Sequence, residues 1–315
     1  MRSPGPVLLL AALCAACSGA LPEPAPPGSR PTRRVPPAPV RAATEGSSAD
    51  GFLALAPPAF ERVHVLSGTF TMGSTSEEVV AALAACASEP LGDPELCETK
   101  GEYSNELSAH EVYLSEYWID RAEVTVERYR ACVGTGDCPE LPYAAGGARF
   151  DAPSLPAVLL TWNDARRFCA WAGGRLPTEA EWERAARGRT GRRYPWGDVY
   201  NAFLANHGRL AWDDLDDGDG FLELAPVGSF PDGAAEGGVV DLAGNVEEWV
   251  ADWYAPSYTQ ASSVNPRGPS AGDDRVVRGG SYTHPRPGLR AAARGHALPD
   301  ERRSWRGFRC VYSSE

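Results

Sequence analysis

The chain has 315 residues, of which 43% are hydrophobic and 23% are charged, and its formal net charge at pH 7 is -12. This acidic balance argues against nucleic-acid binding, which requires a basic surface. The length suffices for one large hydrophobic core or two modest ones. The sequence has no apolar run long enough to form a membrane-spanning helix.

The N-terminal segment has the layout of a bacterial lipoprotein signal. Arg2 precedes an apolar stretch at 7–16 that is too short to span a membrane. The run Leu13-Cys14-Ala15-Ala16-Cys17 is similar to a lipobox with Cys17 as the lipid-bearing residue, and Ser18 favours the outer membrane. Residues 1–17 are therefore predicted to be a signal peptide of a protein that is lipid-anchored in the bacterial cell envelope. The alternative is ordinary signal cleavage, which gives a periplasmic or secreted protein.

Residues 18–58 are predicted to be a disordered tether between the lipid and a folded domain. Positions 21–41 hold eight prolines and four arginines. Such a composition cannot build a hydrophobic core and favours extended chain. The folded domain is predicted to cover residues 59–315.

Helices and strands alternate along the first half of this domain. Hydrophobic patterning predicts strands at 63–66 and 110–119 and helices at 76–88, 125–133 and 162–172. Thr161 can cap the last of these helices with Asp164, and Gly173 can end it. Thr178 and Glu181 have the spacing of a capping box and predict a further helix.

Helical periodicity is lost after Gly188, and the remaining sequence consists mostly of turns, glycines and aromatic residues. The nine tryptophans of the chain favour a loop-rich fold whose irregular backbone is held by buried rings and cross-links. The sequence therefore predicts an α+β fold with few short helices and small antiparallel sheets.

Several motifs in the same region are specific enough to indicate a family. They are Arg-Leu-Pro-Thr-Glu-Ala-Glu-Trp-Glu-Arg at 175–184, Tyr-Pro-Trp-Gly at 194–197, Gly-Asn-Val-Glu-Glu-Trp at 244–249, Arg-Gly-Gly-Ser at 278–281 and Arg-Gly-Phe-Arg-Cys at 306–310. Together these motifs resemble the formylglycine-generating enzyme, or sulfatase-modifying factor, family over about residues 60–312. The resemblance implies a loop-rich fold related to C-type lectins.

The resemblance also implies an activity, which the sequence calls into question. Enzymes of this family oxidise a cysteine of a client sulfatase to formylglycine, using oxygen and copper(I) held by two cysteines. Copper(I) is a soft ion that prefers such thiolates. The pair should follow Arg278-Gly279-Gly280-Ser281, but Thr283 or His284 stands at the first position and no cysteine occurs from 279 to 290. We therefore expect no bound copper and no oxidase activity.

Six cysteines remain in the domain, an even number that favours disulfides in an oxidising compartment. The resemblance implies a bridge between Cys169 and Cys310. Cys132 and Cys138 bracket a short glycine-rich turn, and Cys86 and Cys97 bracket another loop, so local pairing would use the other four.

Calcium is the predicted ion. Five carboxylates lie between Asp213 and Asp219, a density that suits a hard cation, although a solvated acidic loop is an equally good interpretation of that run. The resemblance implies two calcium sites. The ligands of the first would be Asn206, His207, Asp219 and Phe221, and those of the second would be Asp241, Gly244, Val246 and Glu248, with His207, Phe221, Gly244 and Val246 acting through their carbonyl groups.

The altered segment after Ser281 is the predicted recognition surface. His284, Arg286, Arg290 and Arg294 could meet carboxylates or an extended peptide, although arginines at such positions can equally form bracing salt bridges. The sequence thus predicts an exported binding protein whose partner is an unidentified envelope protein, peptide or glycan. The alternatives are an oxidoreductase of this family with a non-standard site and a calcium-dependent carbohydrate-binding module.

Overall fold

Four α-helices lie in the part of the chain that the computed structural model describes, which is residues 61–88, 103–143, 146–147, 149–208, 217–258 and 262–314. They are α1 (Ser76–Ala87), α2 (Val126–Gly134), α3 (Trp162–Trp171) and α4 (Glu179–Arg187). None of the described helices is long and apolar enough to cross a membrane. The predicted signal peptide, tether and domain start at residue 59 lie outside the described residues.

Threonines begin all four helices. Thr75, Thr161 and Thr178 form complete capping boxes, in which the threonine oxygen accepts a backbone N–H and the acidic side chain three positions later accepts that of the threonine. Thr125 accepts the backbone N–H of Arg128 and begins α2. The capping boxes predicted at Thr161 and Thr178 are therefore confirmed.

The strands form small sheets. They are β1 (Arg62–Val65), β2 (Gly68–Met72), β3 (His110–Leu114), β4 (Tyr117–Asp120), β5 (Glu247–Trp253), β6 (Arg275–Arg278), β7 (Arg294–Ala297), β8 (Arg306–Phe308) and β9 (Val311–Ser313). Within the described ranges, the strand orders are β1-β4-β9, β2-β3 and β7-β6-β5-β8. This architecture confirms the predicted α+β class with few short helices. The pair β5 and β8 is parallel, which no local sequence pattern predicted.

The prediction of one strand over 110–119 is wrong, because the chain changes sheets within it. β3 pairs with β2, whereas β4 pairs with β1 and β9. The break lies at Ser115 and Glu116, which are both exposed. The backbone N–H of Ser115 leaves the ladder and donates to the side-chain oxygen of Asn265 at 2.8 Å.

The four-stranded sheet and α4 together position the pocket described below. Every residue of α4 is buried, including its charged ones, and Trp182 packs beneath the β6 end. The Trp182 indole donates to Glu248 at 2.9 Å, which ties α4 to β5. Glu248 also receives the guanidinium of Arg309, and both side chains are fully buried. Buried charges of this kind must be paired and hydrogen-bonded to be tolerated.

Candidate functional site

A cavity of about 350 Å³ opens where β6 ends and the chain turns back towards β7. Gly279 and Gly280 make this turn with positive φ angles of 96° and 66°. A side chain at Gly280 would come within 2.7 Å of the carbonyl oxygen of Gly288 on the opposite wall. Only glycine therefore allows the two walls to approach so closely.

Ser281 organises one wall of this pocket. Its hydroxyl oxygen accepts the backbone N–H of Thr283 at 3.2 Å and lies 3.0 Å from the Thr283 hydroxyl and 2.7 Å from Nδ1 of His284. Ser281 is fully buried. Because its hydroxyl has these three partners and no exposure, Ser281 holds the His284 ring in place.

His284 presents its other ring nitrogen to the carboxylate of Glu247. The Nε2 atom lies 4.0 Å from Oε2 of Glu247, while Oε1 of Glu247 accepts Nε of Arg306 at 2.5 Å. The gap between Nε2 and Oε2 exceeds a hydrogen bond. Sequence reasoning missed Glu247, since it reaches the pocket on β5 from nearly 40 positions before His284.

The floor of the pocket is an ion-pair network that includes two of its lining residues, Arg278 and Arg294. Arg278 lies 2.5 Å from Glu183 and 3.4 Å from Glu179, and Arg294 binds Glu179 through Nε at 2.6 Å and Nη2 at 2.9 Å. Burial opposes ionisation of Glu179, but Arg294 and Arg278 together hold the pKa of its carboxyl below the ordinary value. The charges of the floor therefore neutralise one another, and their ion pairs hold the side chains in place.

The predicted recognition arginines fall into two groups. Arg290 and Arg294 are 4% and 7% exposed, and their forks are occupied by Glu106 and Glu179 respectively. Arg290 and Arg294 therefore form bracing salt bridges, which was the alternative to a role in ligand recognition. Arg286 is different, because its guanidinium lies 4.9 Å over the Tyr200 ring and its Nε is buried without a hydrogen-bond partner among the described residues.

The described cysteines are all engaged in disulfides. Cys169 bonds Cys310 and Cys132 bonds Cys138, as predicted. Cys86 is also disulfide-bonded, and its predicted partner Cys97 lies outside the described residues. None of the described residues that line the pocket is a cysteine.

The first predicted calcium site fits an oxygen-seeking cation. The Asn206 amide nitrogen donates to the Glu223 carbonyl at 2.7 Å and to Asn245 at 3.1 Å, which fixes the amide orientation. Its oxygen is then buried without a hydrogen-bond partner among the described residues. Asp219 folds back over the same segment and accepts the backbone N–H groups of His207 and Phe221. Residues 209–216, which hold most of the acidic run, lie outside the described residues.

The second predicted calcium site does not fit. Both carboxylate oxygens of Glu248 are bound by Arg309, and one also accepts the Trp182 indole. A cation there would have to displace a fully buried guanidinium. Asp241 accepts the backbone N–H of Gly228 at 2.5 Å, and burial raises the pKa of its carboxyl.

Comparisons with known proteins agree with this architecture. The family model for the sulfatase-modifying factor enzyme 1-like domain matches residues 55–314. The chain is 44% identical over 183 residues to the formylglycine-generating enzyme of Streptomyces coelicolor, covering 54% of this chain and 57% of that protein. It is 39% identical over 182 residues to the inactive C-alpha-formylglycine-generating enzyme 2 of Mus musculus, covering 55% and 54%. The chain thus spans little more than half the length of these curated relatives.

A solved structure shares the fold over most of the chain. PvdO from Pseudomonas aeruginosa superposes with a TM-score of 0.62 at 27% identity, covering 80% of this chain and 94% of that one. The match confirms the predicted loop-rich fold of the sulfatase-modifying factor type, related to C-type lectins.

Proposed function

Since the chain belongs to the sulfatase-modifying factor family, we propose that it is an exported, lipid-anchored protein whose family domain binds a ligand or protein partner without oxidising cysteine. The observation that carries this proposal is the composition of the pocket wall after Ser281. An imidazole, His284, and a carboxylate, Glu247, face each other there. Copper(I) needs soft thiolate donors, and the described cysteines are bound in disulfides.

The absence of oxidase chemistry is tested directly. The purified domain is incubated with copper(I), oxygen and a peptide carrying a sulfatase-type cysteine, and mass spectrometry follows conversion of the thiol to an aldehyde. We expect no aldehyde, whereas an active formylglycine-generating enzyme run in parallel gives conversion. Aldehyde formation that His284→Ala abolishes would instead support the alternative, an oxidoreductase with a non-standard site.

The binding role is tested with variants of the pocket wall. Glu247→Gln keeps the shape of the side chain and removes its charge, and His284→Ala removes the imidazole. Immobilised wild-type domain should retain a component of a cell-envelope extract that both variants lose. Arg167→Met, which alters an exposed arginine on α3, is the matched control and should retain it. Equal retention by all four proteins would place any binding outside this pocket.

We propose calcium at the first site only, with Asn206 and Asp219 as side-chain ligands and the carbonyls of His207 and Phe221 completing the set. Bound calcium would stabilise the folded state in proportion to its occupancy. Adding calcium to chelator-treated protein should raise the melting temperature, and Asn206→Ala should abolish that rise. Superimposable melting curves for wild type with and without calcium would exclude the site.

The anchor is the remaining part of the proposal. Cys17 would carry the lipid and place the protein in the envelope, with the outer membrane favoured by Ser18. Cells expressing the wild type should incorporate labelled palmitate into the protein, and Cys17→Ala should not. Equal labelling of both would contradict lipidation at this residue.

A further inference from the structure

A second polar feature lies at the C-terminal end of α4, outside the pocket. Residues 184–193 contain five arginines and no acidic residue, although the whole chain has a net charge of -12. Arg187 is the arginine of this group that lies inside the protein's ion-pair network, where it binds Glu183 and Glu78. Arg184 and Arg189 make no ion pair within the described ranges and therefore need a separate explanation.

Arg184 is buried without a counter-ion. Its side chain and backbone together are 6% exposed, and its Nε is buried without a hydrogen-bond partner among the described residues. No carboxylate of the described part of the chain lies within ion-pair distance of its guanidinium. Burial lowers the pKa of Arg184, and repulsion from Arg189 lowers it further. A buried guanidinium without a partner is costly, so this arrangement calls for an anion.

Arg189 is an exposed arginine that follows α4. Its guanidinium lies against the β1–β2 turn, where a Cβ on Gly68 would be 3.2 Å from Nη2. The absence of a side chain at Gly68 thus leaves room for the Arg189 guanidinium at this turn. Arg189 also makes no ion pair within the described ranges of the chain.

The carboxylate that attracts Arg184 is already engaged by another arginine. Glu236 attracts Arg184 electrostatically, but its Oε2 lies 3.7 Å from Nη2 of Arg192, and both of those side chains are partly exposed. The Tyr117 hydroxyl, the other group that interacts with Arg184, donates its hydrogen to the Glu181 carbonyl at 2.6 Å. Arg184 and Arg192 thus share one carboxylate.

We propose that Arg184 and Arg189 form a binding site for a phosphate-type oxyanion. A guanidinium offers a planar fork of donors that matches two oxygens of such an anion. The anion replaces the counter-ion that Arg184 lacks, and Arg189 supplies a second fork of donors. The phosphate could be free in solution or belong to a lipid head group, and the test separates these sources.

The test measures the melting temperature of the full chain in chloride buffer as inorganic phosphate is titrated at constant ionic strength. Phosphate should raise the melting temperature of the wild type. Arg184→Met should weaken the apparent affinity about tenfold or more, as expected for the loss of a charge-assisted hydrogen-bonded contact. Arg189→Met should weaken it less, because Arg189 is exposed. Glu236→Gln should strengthen it, since a competing carboxylate is lost.

The controls separate binding from damage to the fold. Arg184→Met should be at least as stable as the wild type in chloride alone, because it removes an unpaired buried charge. Arg167→Met should respond to phosphate as the wild type does. Equal responses of the wild type and Arg184→Met, or no response of either, would overturn the proposal.

Vesicles identify the source of the phosphate. The protein is sedimented with phosphatidylcholine vesicles that contain or lack phosphatidylglycerol, using Cys17→Ala so that no acyl chain contributes. Sedimentation that depends on both phosphatidylglycerol and Arg184 supports the site and assigns it to lipid head groups. A response to inorganic phosphate without such sedimentation supports the site and assigns it to a soluble ligand. Failure of both would overturn the site without affecting the function proposed for the pocket.

Discussion

Arg290 shows how a single residue can look like a ligand-binding group in the sequence and serve the core in the structure. It lies in the altered segment after Ser281, yet its Nη1 and Nη2 atoms reach Glu106 at 2.7 and 2.5 Å. Glu106 is 1% exposed. The pair therefore ties the segment before β3 to the pocket wall, and its energetic role can be measured.

Breaking this pair from one side should be more harmful than replacing it. Arg290→Met leaves a buried carboxylate without a partner, and we expect a loss of about 3–5 kcal/mol in the free energy of unfolding. The double variant Glu106→Gln/Arg290→Met removes both charges and should recover much of that loss. Urea unfolding of the wild type, both single variants and the double variant gives the coupling energy. Additive losses would show that the two side chains do not interact.

Asp252 makes stability depend on pH. Burial, reinforced by the nearby charge of Glu179, raises the pKa of its carboxyl from 3.8 to about 8. Between these values the folded state holds a proton at this site that the unfolded state has released. The free energy of unfolding therefore falls as the pH rises through this window, by about 1.4 kcal/mol per unit from this group alone.

Asp252→Asn should remove that contribution. An asparagine oxygen can still accept the Glu179 backbone N–H, which Asp252 accepts at 2.8 Å. Urea unfolding at several pH values between 5 and 8 should then show a shallower decline for the variant than for the wild type. Asp232→Asn, at an exposed position, is the control and should follow the wild type. Parallel curves for all three proteins would contradict a raised pKa at Asp252.

At the scale of elements, the helix starts are the best-encoded features of the fold. In the capping box of α4, Thr178 accepts the Glu181 N–H at 3.2 Å, and Glu181 accepts the Thr178 N–H at 2.8 Å. Thr178→Ala should lower the free energy of unfolding by about 1 kcal/mol, with the loss read from urea unfolding. Thr178→Ser keeps the oxygen and should lose less. Equal losses would indicate that packing of the threonine methyl group outweighs its cap.

The difference between local and distant contacts explains what the sequence could and could not predict. Caps and helical periodicity depend on residues three or four positions apart, so α1, α2 and α3 were predicted to within about a residue at each end, and α4 was predicted at its start. β2 was missed and β3 was fused with β4, because short strands are defined by distant partners. The pocket was likewise predicted only in its local part. The motif at 278–281 indicated its position, but Glu247 comes from the parallel β5–β8 region, which no local pattern indicates.

At the scale of the whole molecule, the chain end closes the fold. β9 pairs with β4, and β4 pairs with β1, so the first and last described strands share one sheet. Asp120 at the end of β4 binds Arg128, the Cys310 backbone N–H and the Tyr312 hydroxyl. The Cys169–Cys310 disulfide ties α3 to this same junction.

The two observed disulfides should therefore differ in their effect on stability. Cys169 and Cys310 are 141 positions apart, and Cys132 and Cys138 are 6 apart. Loop-closure entropy in the unfolded chain then favours the long bridge by about 3 kcal/mol. Urea unfolding of Cys169→Ala/Cys310→Ala and of Cys132→Ala/Cys138→Ala should show this difference in the free energy of unfolding. Because all four cysteines are buried, both variants lose similar packing, which leaves loop length as the main variable. Equal losses would show that local packing, and not chain entropy, sets the contribution of each bridge.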